Sequence, residues 1–503
     1  MVAAGLTRGF LAATGRLAAA LSLGFVTDAI TGQQYTVTRI GVPPGEQVSV
    51  ATDVNNRGEA AIDTGHRRSY YWSATTGFIA LPGQRPERDQ NSYEINEAGE
   101  IVLTDIGTSF TAAVWSPVTG LHVLAPPGSN YSQAYGGNDD GTVVGFAKVG
   151  SVRSWPFRFR PGHGFDVVGV LPGHTTGYAM DVNNMGVVAV QNLPATTGPR
   201  GSYWSEGEGA VDLGVPPGYD TVYPARLNDS KSIVGSVWKG GLFFGWIWDP
   251  LAGHRIIDIG EIPYYWQARG VNDQGHLVGT GTVSLEPFIV HSYFWREGWP
   301  RAERINRLLD SSVQGVDVTV AFNINEKGWI AGHAKFDGGP FEAVIVKPKT
   351  TKLRTESLDV LTGRKTSGEV ADLEDADGRS LTVRRFIVPN RSAPPVSVVV
   401  ETTSPGPLLY SWVTVRARLT GATEASQRVE LFDWQEGRWD DASSSVSTIG
   451  SDWSDQEGLA RRPGRRFTST EGKVRARIQV SGPTAPAWSV EFDKVDWEVT
   501  LAD

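Results

Sequence analysis

Short apolar segments recur along residues 33–350, and polar turns of one kind separate them. The most regular turn is Val271-Asn272-Asp273-Gln274-Gly275, which leads into Leu277-Val278-Gly279. Versions of it begin at Asn55, Asn96, Asn138, Asn183, Asn228 and Asn325. An Asn side chain bonds forward to the backbone, and a Gly three residues on accepts positive φ, so Asn-x-x-Gly predicts a tight hairpin turn. Only the turn at Asn228 lacks the glycine, carrying Lys231 in its place.

The seven turn asparagines are spaced by 41, 42, 45, 45, 44 and 53 residues, a period that signals a repeat architecture. About twenty residues after each Asn comes an aromatic segment such as Tyr70-Tyr71-Trp72, Ala113-Val114-Trp115 or Trp246-Ile247-Trp248. In the seventh unit Ala343-Val344-Ile345 stands there. A further strand then ends in Pro-Gly, as at Pro126-Pro127-Gly128 and Pro216-Pro217-Gly218. Four short strands per unit fit the blade of a β-propeller.

The two ends decide whether the units close. Unit seven stops at Lys347-Pro348-Lys349 without a fourth strand. Residues 35–45, Tyr35 to Gly45, match Ala210 to Gly218, the fourth strand of another unit. A chain that opens on strand four and closes on strand three completes one blade from both termini and removes the open edges. The expectation is an all-β chain: a seven-bladed propeller over 33–350, closed by its N-terminal strand. Unit six carries an insertion, Arg301 to Val313, in which Ile305, Leu308, Leu309 and Val313 predict a short amphipathic helix near the closing blade.

Beyond Lys352 the period disappears. Residues 351–380 read as a linker with leading loops, and period-two alternation over 381–503 (Val413 to Leu419, Lys473 to Val480, Val495 to Thr500) predicts a β-sandwich of jelly-roll type. Few contacts are expected across that boundary. At the other end, Arg8 and Arg16 flank a charge-free run from Leu17 to Val26, so 1–32 reads as a signal peptide, or else a disordered leader. No other segment is long and apolar enough to span a bilayer.

Composition changes this picture little. The chain has 503 residues, 59 Gly, 17 Trp, no Cys and a net charge of −9, which excludes thiol chemistry and argues against a nucleic-acid partner. No zinc spacing, calcium loop, P-loop or G-x-S-x-G is present, so neither a metal nor a cofactor is expected. The acidic turn residues Asp139, Asp140, Asp229, Asp273 and Glu326 read as hairpin residues.

The recurring Ile/Val-Asn-Asp/Glu-x-Gly-x-Val-Val-Gly, followed by an aromatic strand and Leu-Gly-x-x-Pro-Gly, resembles the HAF repeats of bacterial extracellular proteins over residues 35–347. Arg304 to Leu309 ahead of Ala321 to Asn325 is similar to that family's late repeat. The resemblance implies an exported, propeller-like protein and carries no catalytic residue. Phe492 to Val499 is similar to the last strand of jelly-roll carbohydrate-binding modules.

Two groups are candidates for binding. Tyr264, Tyr265 and Trp266 replace the Pro-Gly loop between units five and six, and with Trp434, Trp439 and Trp453 they are candidates for stacking on sugar rings. Arg461, Arg462, Arg465 and Arg466 surround Pro463-Gly464 in a basic run suited to an acidic polymer. The expected function is a secreted or cell-surface, non-catalytic binding or scaffold protein that engages a glycan, another extracellular polymer or a surface protein. The alternative is an extracellular polysaccharide hydrolase or lyase working at the propeller channel. Carboxylates gathered at the channel mouth favour the enzyme; small residues there favour binding.

Overall fold

A computed structural model describes residues 34–502, apart from 66–67, 83–90, 105–109, 151–152, 194–198, 262, 378, 386–393 and 484–486. The leader, 1–32, lies outside the described residues. The chain is all-β and built largely from four-stranded antiparallel sheets. The first sheet runs Ser49–Val54, Ala60–Thr64, Ser69–Ser73, Gly77–Ala80 in chain order. The same succession begins again at Asn91, Tyr131, Thr176, Thr221 and Tyr265. The last such sheet joins Val316–Ile324, Ile330–Phe336 and Phe341–Pro348 to Tyr35–Gly41, with Tyr35 opposite Pro348 and Val37 opposite Val346.

The Asn turns form as the local chemistry dictates. Asn55 Oδ1 accepts the N–H groups of Arg57 and Glu59, and Gly58 turns through φ +82°. Lys231, without glycine's freedom, still holds φ 65° at the corresponding place. Each asparagine also reaches the next unit: Nδ2 of Asn55 donates to the Asn96 carbonyl, Asn96 to Asn138, and Asn138 to Asn183. The series continues through Asn228, Asn272 and Asn325, and Asn325 donates to the Asn55 carbonyl. The units therefore stand in a closed ring.

Two residues before every turn strand ends, the pairing slips. Register breaks fall at Ala51/Asp53, Ser92/Glu94 and Ala179/Asp181, and at the equivalent places of the other units. This bulge explains the second glycine of Val-Val-Gly: a Cβ at Gly145 would lie 1.9 Å from the Gln133 carbonyl oxygen across the ladder.

The insertion in unit six forms a single helical turn, Ile305–Leu308, shorter than the spacing predicted. Ile305 and Leu308 are buried with Tyr35, Phe294 and Val344, so the turn covers the joint where Tyr35–Gly41 meets the last of these sheets.

Residues 351–503 make two further sheets, of which Leu408–Thr420 and Ser489–Leu501 form the longest pair. One apolar cluster draws residues from both sheets, among them Val413, Val429, Ile478, Phe492 and Trp497. The expected linker is not one: Thr351–Leu353, Ser357–Thr362 and Arg364–Ser367 are strands of these sheets. Its polar, alternating residues are those of edge strands, with the apolar ones (Leu358, Val360) turned to the core.

Candidate functional site

Two polar layers line the axis of the ring, at fixed offsets from the turn asparagines. The residue two before each Asn gives Asp53, Glu94, Asp181, Arg226 and Asn323, with Gly136 and Gly270 completing the set. The residue after each Asn gives Glu97, Asp139, Asp229, Asp273 and Glu326, with Asn56 and Asn184. A cavity of about 150 Å³ runs between these layers.

Most of the carboxylates bond to a neighbouring unit. Asp53 Oδ2 accepts from Ile95 N–H at 2.9 Å, Asp181 Oδ2 from Leu227 N–H at 2.8 Å, and Glu94 Oε2 from Gly137 N–H at 2.5 Å. In the outer layer Glu97 accepts from Asn56 N–H, Asp273 from Asp229 N–H, and Glu326 from Asp273 N–H. Gly136 is obligatory to this packing, because a Cβ there would lie 2.7 Å from Asp181 Cα.

Each layer is matched by one arginine. Arg226 lies 3.6 Å from Glu94 and donates across the axis to the carbonyls of Tyr135 and Tyr93. Burial works against its charge, but Glu94, Asp181 and Asp53 outweigh burial and raise its pKa. Burial pushes Asp53 up to about 6. In the outer layer Arg461 enters from the C-terminal region and stands 3.9 Å from Asp229, within electrostatic reach of Glu326, Asp273 and Asp139. Burial and the Asp229 charge push Asp273 up to about 7, and burial with Asp273 holds Glu326 well above its ordinary value.

The C-terminal sheets are docked on this end of the ring, contrary to the expectation of few crossing contacts. Tyr410 Oη lies 2.6 Å from His276 Nδ1, and Gln274 Nε2 donates to the Ala460 carbonyl at 2.8 Å. Lys327 pairs with Glu457 at 2.7 Å and its ammonium lies 5.1 Å from the Trp412 ring. Polar turns of the ring meet aromatic and charged side chains of the sheets, so neither side shows the long apolar stretch by which an interface is read from sequence.

The basic run is therefore not a free polymer-binding loop. Arg461 is in the acidic layer, Arg462 is 3.4 Å from Asp440, and Arg466 pairs with Asp433 at 2.6 Å and Glu436 at 2.8 Å. The Arg465 side chain lies outside the described residues. The aromatic triplet also divides. Trp266 is fully buried, its Nε1 donating to the Ile257 carbonyl, so it belongs to the core. Tyr265 lines the axis with its hydroxyl on Gln267, and Tyr264 is 49% exposed.

A second cluster lies on the outer face of the sheet containing Ala425–Asp433 and Lys473–Ser481. Phe432 packs edge-on between Trp434 and Trp439 at 5.0 and 5.1 Å. The Arg475 guanidinium lies over Trp434 and that of Arg477 over Trp439, each at 4.7 Å. Glu401 pairs with Arg475 and Glu430 with Arg477, which fixes the ladder in place.

Among the described residues, no group of three or more His, Asp and Glu is placed to hold a metal ion, and no helix is long and apolar enough to cross a membrane.

No family model and no curated protein matches the chain. Among solved structures it is similar to a streptogramin B lyase at 8% identity and TM-score 0.40, covering 63% of this chain and 98% of that one. It is similar to the virginiamycin B lyase from Staphylococcus aureus at 9% identity and TM-score 0.39, covering 63% and 99%. The xylan-binding module CBM15 matches at 18% identity and TM-score 0.21, covering 31% of this chain and 99% of the module. At such TM-scores these likenesses carry no weight for ligand or activity.

Proposed function

We propose that the chain is a non-catalytic binding or scaffold protein, exported and kin to the HAF-repeat proteins. On this reading residues 33–350 are a seven-bladed propeller serving as a rigid platform, and the C-terminal β-sandwich binds a polymer such as a glycan. The carrying observation concerns the axial carboxylates. A glycosidase needs one carboxyl free to protonate the leaving oxygen and another free to attack or to activate water. Here Asp53, Asp181, Asp273 and Glu326 accept hydrogen bonds from backbone N–H groups of the units, and Arg461 stands over the outer layer. Carboxylates do gather at the channel mouth, but as joints of the ring. The half-exposed Trp434 and Trp439 on the sheet face supply apolar rings, each with an arginine guanidinium over one face, a combination of ring and hydrogen-bond donors suited to sugars.

The test is retention of the full chain on immobilised neutral and acidic polysaccharides, with mass spectrometry of the soluble fraction. Retention that is lost in Trp434→Ala/Trp439→Ala, without shortened oligosaccharides, is the expected result. Chain cleavage that disappears in Asp273→Asn would replace this reading with the hydrolase or lyase.

A further inference from the structure

Beside Arg226 and Arg461 stands a third arginine, and no acid answers it. Arg269 occupies the bulge of the Tyr265–Val271 strand, between Ala268 and Gly270, where the register slips. Tyr265, Gln267 and Arg269 are the half-buried residues of that strand, alternating with buried Trp266 and Ala268, so all three share one side of it, the side on which Arg269 comes within electrostatic reach of axial Arg226. Among the described residues Arg269 makes no hydrogen bond and no ion pair, and its Nε is shut off from solvent without a partner. The guanidinium lies 4.7 Å from the centre of the Phe322 ring. Arg226 adds to the charge nearby rather than offsetting it, because Glu94, Asp181 and Asp53 are already committed to Arg226.

A half-buried guanidinium whose Nε is shut off from water and which has no anion beside it is a ready partner for an anionic ligand, since its Nη groups remain open to the channel side. The surroundings say what else the ligand carries. Tyr223, Phe243 and Tyr265 form a row of rings 5.7 and 5.1 Å apart leading along the wall from Arg269. Gln267 stands between Tyr265 and Arg269 with its Oε1 on the Tyr265 hydroxyl, leaving its amide N–H groups for an acceptor. The docked sheets and Arg461 occupy the end of the axis at the turn asparagines, whereas Tyr265 begins its strand at the other end.

We propose that this end of the channel binds a carboxylate joined to a ring of sugar size, with Arg269 gripping the carboxylate and the Tyr223–Phe243–Tyr265 row flanking the ring. A planar carboxylate fits the two-pronged guanidinium better than a spherical anion does. The inference goes beyond the platform reading and does not depend on the C-terminal sheet face.

Isothermal titration of the full chain with glucuronate, galacturonate and benzoate tests it, with glucose and benzyl alcohol as neutral counterparts. At least one acid should bind with a Kd of about 1 mM or tighter, and its neutral counterpart at least tenfold more weakly. Arg269→Gln should weaken the acid at least tenfold, and Arg269→Lys by less. Arg269→Gln should also melt no lower than the parent, since it removes a half-buried charge that no acid answers. An oligogalacturonate titrated alongside separates a free acid from the end of an acidic chain: tighter binding of the oligomer assigns the site to a chain end, equal binding to the free acid. Trp434→Ala/Trp439→Ala should leave all of these affinities unchanged, which separates this site from the sheet face. Absence of binding by every acid up to about 50 mM overturns the proposal. So does binding that ignores the Arg269 substitutions.

Discussion

Asn325 donates through Nδ2 to the carbonyl oxygen of Asn55 at 3.0 Å, across 270 residues of sequence. The same bond links every other pair of neighbouring units, so the turn that ends each first strand also fastens it to the next one. One side chain thereby satisfies a local hairpin and a long-range joint, and repetition of a local motif closes a ring.

Asn183 shows what such a joint contributes. Its Nδ2 serves the Asn228 carbonyl, and its Oδ1 serves the N–H groups of Met185 and Val187. Asn183→Ala leaves buried backbone groups unpaired, each worth about 1–3 kcal/mol, so a loss of about 2–4 kcal/mol is expected in urea unfolding. Asn183→Asp keeps the acceptor and should lose less.

The closing strand makes a separate demand. Tyr35 is fully buried, with its ring 5.8 Å from Phe294, and its carbonyl accepts from Asp310 N–H. Tyr35→Ala should cost about 3–5 kcal/mol, the range for emptying a large aromatic site. Deleting residues 33–45 exposes the Phe341–Pro348 edge and should lower the melting temperature by many degrees. An unchanged melting curve in either variant would mean the ring does not need this joint.

How much of this could be read beforehand follows from the range of each interaction. The turns, the four-strand unit and the offset between chain ends are local or periodic, and they stand in the sequence at Asn55, Asn96 and their equivalents. The axial layers were also periodic, two residues before and one after each Asn, but Asp53, Glu94, Asp181 and Arg226 differ in type and hide the repeat. The Arg461 to Arg466 run misleads because a charge cluster carries no mark of its partners, and those of Arg461 lie in four separate units. Trp266 reads like a rim aromatic, yet a one-residue step along a strand turns a side chain from the axis to the core.

Asp273 gives the chain a pH dependence of definite sign. Its folded pKa is raised, from 3.8 to about 7. A raised acid contributes stability in full below its unfolded value and loses it as pH rises through the folded one. Stability from this group should therefore fall between about pH 4 and pH 7. His276 acts in the opposite direction: burial depresses it from 6.5 to about 3, so its contribution is lost as pH falls over that window. Comparing Asp273→Asn with the parent isolates the first effect: the difference should grow in favour of the variant from pH 5 to pH 8 in guanidinium unfolding. A difference that stays constant with pH would show that Asp273 titrates alike in both states.

Arg461 is the substitution on which the union of the two regions turns. Read as a loop residue it should be replaceable by Ser, along with its three neighbours, at no cost to the fold. In place it is the cation facing Glu326, Asp273, Asp139 and Asp229, with Gln274 bonding to the carbonyl of the residue before it. Removing one partner of a buried ion pair costs about 3–5 kcal/mol when the other must stay charged. Here the carboxylates have an escape, because their raised pKa values let them take up protons instead. Arg461→Ala should thus be mild near pH 5 and severe near pH 8, where protonation no longer relieves the layer. Arg461→Lys keeps the charge and should lose less at pH 8. Since the Arg461 side chain is still 26% exposed, added salt should rescue part of the loss. Urea unfolding at both pH values measures this. A small loss that is equal at pH 5 and pH 8 would mean that Arg461 only rests against the ring and neutralises nothing in it.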